Sequence, residues 1–186
     1  MYILKTKAST FPVTLSEVKG YCRITHSAED TLVQSLIYAA INLVEDFAWL
    51  QIMNATWLLQ LNEWPTSYIE LGKGKVSSVV SVKYNDADGA EQTMEANTDY
   101  KVDLNSWPAR IVFINQPQIN SNLPFIRVEF VAGYGTDPAL VPDNIKDAIY
   151  LTARSLYDNR NDAMPTAMPR AAHDLLRDYR NSLVKR

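Results

Sequence analysis

The chain has one cysteine, two histidines and no apolar run close to the roughly twenty residues that span a bilayer. Each shortage removes a class of function. A lone sulfur, Cys22, can neither close an internal disulfide nor furnish a thiolate metal cage, so the sequence suits a reducing cytoplasm or is indifferent to its compartment. A small side chain buried in the first helix is the plain expectation for it. His26 and His173 lie far apart and lack the i, i+4 spacing of a helical metal pair, which leaves them as surface or cap residues. Met1 to Thr10 carries Lys5 and Lys7 but no apolar stretch of signal-peptide length, so neither export nor a membrane partner is expected. No cofactor, metal or catalytic residue is expected either. What is present is ordinary for one globular domain: 186 residues, 47% hydrophobic and 21% charged, enough to bury one sizeable core.

The net charge of -3 hides an asymmetry. Residues 170–186 hold Arg170, Arg177, Arg180, Lys185 and Arg186 against Asp174 and Asp178, while the rest of the chain is acidic. Body and tail therefore carry opposite signs.

The order of patterns is informative. Thr14-Leu15-Ser16-Glu17 is a capping box that opens a short helix running to about Arg23, and Ser27-Ala28-Glu29-Asp30 repeats the device for a second. The second helix shows Leu32, Leu36, Ala39, Ala40, Leu43, Val44 and Phe47 as an apolar stripe running to about Trp49, which makes residues 14–50 a helical hairpin. From Thr56 the period changes to two. Tyr100, Val102 and Leu104 alternate with Lys101 and Asp103, and Ile126, Val128 and Phe130 alternate with Arg127 and Glu129. Residues 57–64, 67–71, 76–84 and 110–114 are further candidate strands, with Asp86-Ala87-Asp88-Gly89 as a hairpin turn. A third helix is expected to open with Pro142 in its first turn and to carry Ile145, Ala148, Ile149, Thr152 and Leu156 inward. Met164-Pro165 and Met168-Pro169 then break the chain, so residues 163–169 read as a hinge before a last amphipathic helix bearing Leu175, Leu176, Tyr179 and Leu183. The expected fold class is α+β: one domain, 1–186, with a helical framework (14–50 and 141–186) around an inserted antiparallel sheet region (56–135).

Motifs for chemistry are few. Gly72-Lys73-Gly74-Lys75 lacks the spacing of a phosphate loop and leads into a strand, so a hairpin connection is the simpler reading. Asn85, Asp86 and Asp88 have no twelve-residue calcium frame and read as turn residues. Gly133-Tyr134-Gly135 lets the chain turn from a strand toward the helix. The basic tail has only Tyr179 as an aromatic neighbour, and the acidic body would repel a polyanion, so a protein partner fits it better than nucleic acid.

Several segments together resemble the small head-tail connector, or head-completion, proteins of long-tailed bacteriophages and prophages. They are Leu15-Ser16-Glu17-Val18-Lys19 with Arg23-Ile24; Glu63-Trp64-Pro65 with Ile69-Glu70-Leu71; and Val76 to Val82 with Tyr84 and Asp86 to Gly89. Further along come Asp99-Tyr100, Val131-Ala132-Gly133-Tyr134-Gly135, Val141-Pro142 with Ile145-Lys146, and Leu156-Tyr157-Asp158-Asn159-Arg160. They cover most of residues 14–161, and it is their joint order that is specific. The resemblance implies a non-enzymatic virion component: a ring of about twelve copies under the portal vertex that extends the DNA channel and offers a docking surface to a stopper or tail protein. DNA would pass without sequence-specific binding, and the protein would reside in the virion neck after assembly in the host cytoplasm. By position, Arg170, Leu176, Arg177, Tyr179, Arg180, Leu183, Lys185 and Arg186 become the candidate portal- or partner-docking residues. Asn85, Asp86, Asp88 and Gly89 become a candidate inter-subunit or channel loop. Alternatives are another phage tail-completion or decoration protein, or a small hydrolase using carboxylates such as Glu63 and Asp86, for which no nucleophile and base in a known context are seen.

Overall fold

The computed structural model describes residues 1–119, 126–159 and 168–184, the last four by backbone alone. The elements run β1 (Tyr2–Thr6), α1 (Leu15–Cys22), α2 (Asp30–Ala48), β2 (Ala55–Leu61), β3 (Tyr68–Leu71), β4 (Val76–Asn85), β5 (Glu91–Thr93), β6 (Tyr100–Asp103), β7 (Ala109–Phe113), β8 (Ile126–Ala132), α3 (Asp143–Asp158) and α4 (Arg170–Val184). The class is α+β, as the change of period indicated.

The strands form two antiparallel sheets, of order β1-β2-β8-β4-β5 and β3-β7-β6. Ile126, Val128, Phe130 and Ala132 of β8 are completely buried and face Leu59, Val82, Ile69, Leu71 and Ile111 in one core between the sheets. The helices enclose a second core around Ile37, Val44, Ile145, Ile149 and Leu176. The loop 49–54 joins the two and is held between strand ends: Gln51 donates to Lys73 at 3.0 Å, Tyr134 to Ile52 at 2.9 Å and Asn54 to Gly135 at 3.0 Å. Gly133 sits at φ 137°, and a Cβ there would lie 2.5 Å from the Asn54 amide, so both the dihedral and the space require glycine.

α1 carries the expected capping box, with the Glu17 amide donating to Thr14 Oγ1 at 3.2 Å and the Glu17 carboxylate accepting from the Thr14 amide at 2.6 Å. Four expectations are corrected. The second capping box does not form: α2 starts at Asp30 behind Glu29, which makes no side-chain cap, and Ser27 instead closes a turn through its carbonyl. The buried stripe of α2 is Val33, Ile37, Ala40, Ile41, Val44 and Ala48, so the expected stripe was rotated, with Leu32, Leu36, Leu43 and Phe47 at its border and Ala39 exposed. Pro142 is the N-cap of α3, one residue outside the first turn where it was placed. Leu104 lies beyond the end of β6 and is 43% exposed.

β1 was not foreseen. It pairs with β2, Tyr2 opposite Leu59 and Leu4 opposite Trp57, so the sheet draws a strand from outside residues 56–135. The Gly72–Lys75 connection links strands of different sheets and is therefore a crossing between layers, not a hairpin.

Candidate assembly surfaces

α4 packs against α3 and α2. Leu176 and Ala172 are completely buried in the helical core, and Leu175 and Tyr179 lie against it. The His173 ring stacks on Phe47 at 4.4 Å between centroids, and the Arg180 guanidinium sits 4.8 Å from the same ring. Among the sequence-derived docking residues, Leu176 is thus an anchor of the helix and is not offered to a partner. Arg170, Arg177 and Arg180 are exposed, with Arg177 bonded to Asp174 at 3.1 Å, and burial raises the pKa of the half-buried Tyr179 phenol. The side chain of Leu183, together with Lys185, Arg186 and hinge residues 163–167, lies outside the described residues.

The Asn85–Gly89 tip caps the β4–β5 hairpin. Asp86 accepts from the amides of Asp88 at 3.1 Å and Ala90 at 2.9 Å and from Gln92 Nε2 at 2.8 Å, and these bonds hold its carboxyl below the usual range. Asn85 donates to the Gly89 carbonyl at 2.9 Å and accepts from Arg127, which also pairs with Glu91 at 2.8 Å. These oxygens are spent on shaping the turn. Glu63, the other carboxylate of the hydrolase alternative, is exposed on a separate loop. His26 is also exposed, 3.9 Å from Glu29, and no group of three or more potential metal ligands occurs among the described residues.

Two arrangements escaped sequence reasoning. At the junction of helices and sheet, Glu45 accepts from the Ile52 amide at 2.8 Å and Gln51 Nε2 at 2.7 Å, while Gln51 Oε1 accepts from Trp57 Nε1 at 3.1 Å. The Lys73 ammonium lies 4.1 Å from the Trp57 ring centroid and within 6 Å of Trp49 and Tyr2. Burial pushes the Glu45 carboxyl up to about 7 and lowers Lys73. A cavity of about 570 Å³ opens beside this cluster, walled by Phe11, Tyr38, Ile41 and Trp57. The aromatics come from four separate stretches of chain, so no local pattern announces them.

The second arrangement is the flank shared by α1 and α3. Tyr21 stacks on Tyr150 with centroids 5.4 Å apart and planes 22° from parallel. Burial, then the charges of Glu17, Asp147 and Asp143, raise the Tyr150 phenol. An i, i+4 reading of α3 joins Lys146 to Tyr150, but only the fold brings Tyr21 across.

Comparison with known proteins agrees on the architecture. Three solved chains share it: one from the neck of an empty gene transfer agent particle computed with C6 symmetry (22% identity, TM-score 0.82, 97% of this chain and 95% of that chain); one from the virion of a native gene transfer agent particle (23%, 0.82, 97% and 95%); and one from the neck of a native particle computed with C12 symmetry (20%, 0.78, 97% and 94%). No curated protein sequence matches the chain. The model of the phage gp6-like head-tail connector proteins matches residues 12–110, which include α1, α2, the Glu45–Lys73 junction and the hairpin tip. The chain belongs to the family of phage gp6-like head-tail connector proteins.

Proposed function

We propose that the protein is a structural part of the neck of a phage or phage-like particle, where about a dozen copies close a ring under the portal, extend the DNA channel and present a surface to a stopper or tail protein. The observation that carries this reading is the match of the connector family over residues 12–110. The likeness over 97% of the chain to proteins in necks computed with C6 and C12 symmetry supports it. An acidic body and a basic C-terminal segment on one chain suit the head-to-tail contacts from which a cyclic ring is built. The chain acts here by binding, and its partners are other copies of itself, the portal and a tail-side protein, with the segment from Arg170 as the partner-docking element. Assembly takes place in the host cytoplasm and ends in the virion neck. DNA crosses the channel without being read.

The test is genetic and structural. Removing the protein from the particle that encodes it is expected to leave filled heads and finished tails unjoined, with joining restored when purified protein is added. Normal yields of tailed, infectious or transducing particles without it would overturn the reading.

A further inference from the structure

We propose that the ring closes through one contact repeated around it: the arginine face of α4 on one copy docks on the α1–α3 flank of the next. This rests on the ring reading above and names the partner that the described part of α4 meets. α1 and α4 each pack on both α2 and α3, and the arginine face and the α1–α3 flank have no residue in common. A cyclic assembly needs such a pair of unlike, non-overlapping patches.

The receiving flank has an aromatic platform with carboxylates around it. Tyr21, stacked on Tyr150, is still 39% exposed. Glu17 is held by the Thr14 cap, but Asp143 and Asp147 are exposed and engage in no ion pair among the described residues. The donating face offers Arg170, which likewise has no ion-pair partner among the described residues, and Arg180, which leans on Phe47 and keeps its guanidinium exposed. A guanidinium both pairs with a carboxylate through two parallel N–H donors and stacks on a tyrosine face. A flank that supplies an exposed tyrosine beside two free carboxylates therefore fits an arginine-bearing helix, and this chain carries one in α4. The tail past Val184 adds Lys185 and Arg186 to the same sign of charge.

The experiment uses the full chain in native mass spectrometry and negative-stain microscopy, with and without portal, at rising protein concentration. One variant reverses the flank, Asp143→Lys with Asp147→Lys; the other reverses the helix, Arg170→Glu with Arg180→Glu. Neither should form rings, and each should lose at least tenfold in self-association at low salt. Mixed one to one, they should form rings in which the two variants alternate, because the arginine helix of one meets the aspartate flank of the other and the exchanged helix and flank complement each other as well. A chain with all four exchanges should form rings again. All four side chains are exposed, so melting should stay near that of the parent; Asp147→Lys alone, away from the helix terminus, replaces the double variant if that one does not fold. Rings from either variant alone, beside rings from the parent, overturn the inference and leave the ring reading standing. Rings that form but no longer attach to portal would assign the arginines to the portal and also overturn it. A parent chain that forms no ring even on portal overturns the ring reading itself.

Discussion

Glu45 concentrates, in one side chain, the electrostatics of the joint between helices and sheet. Its folded pKa of about 7 stands above the ordinary carboxylate value of 4.5, so the native state holds a proton that the unfolded chain releases. The stabilisation tied to that proton is complete below about pH 4.5 and lost as pH rises through about 7. Across that interval it amounts to roughly 3 kcal/mol, moderated by Lys73, which attracts the ionised form. Glu45→Gln keeps an oxygen acceptor for the Ile52 amide and removes the ionisation. Urea unfolding between pH 5 and 8 should show the parent losing stability relative to this variant as pH rises; parallel curves would disprove the burial argument. Gly133 makes a sharper case. Gly133→Ala places a Cβ against the Asn54 amide at a φ that side chains avoid, and a loss of about 3 kcal/mol or more is expected in the same unfolding assay. The sequence marks Gly133 as a glycine that turns the chain after a strand but carries no local sign of Glu45, and only the return of β8 beside residues 52–54 explains why each is required.

Among the elements, α4 separates structure from docking. Leu176→Ala should cost about 2–5 kcal/mol, because a buried leucine leaves a cavity in the helical core, while Arg177→Ala should stay within about 0.5 kcal/mol at an exposed i, i+3 pair. Truncation after Pro169 removes Ala172 and Leu176 from the core and uncovers Phe47, so the melting temperature should fall clearly. The two Met-Pro steps mark a break in the sequence, whereas the partners of the apolar face of α4 become visible only in the fold. Elsewhere the sequence was legible where one residue pattern decides one structure. β8 alternates cleanly because one face is wholly buried, and the Thr14–Glu17 box caps α1 because both its bonds are local. It misled where neighbours in space decide. α2 is apolar around much of its circumference, so several stripes fit its sequence, and α3 and α4 select the one with Ile37 and Val44. β1 is five residues long and acquires its meaning only beside β2.

For the whole molecule, two cores joined by the clamped 49–54 loop carry the surfaces on which the proposed ring depends. Connector membership was legible in the joint order of segments, whereas the surfaces were only half so: the sequence marked the arginines of the tail but not the tyrosine flank, which two distant helices assemble. If surface charge drives the contacts, assembly should weaken between about 50 and 500 mM salt, as the screening length shortens from roughly 14 to roughly 4 Å, and sedimentation at several salt concentrations reads this directly. The central claim is that the protein forms a closed ring on the portal. Electron microscopy of purified protein mixed with DNA-filled, tailless heads tests it most directly. The account predicts a closed ring of about twelve copies at the portal vertex, coaxial with the channel. An unoccupied vertex, or protein bound as isolated monomers or twofold dimers, would contradict it.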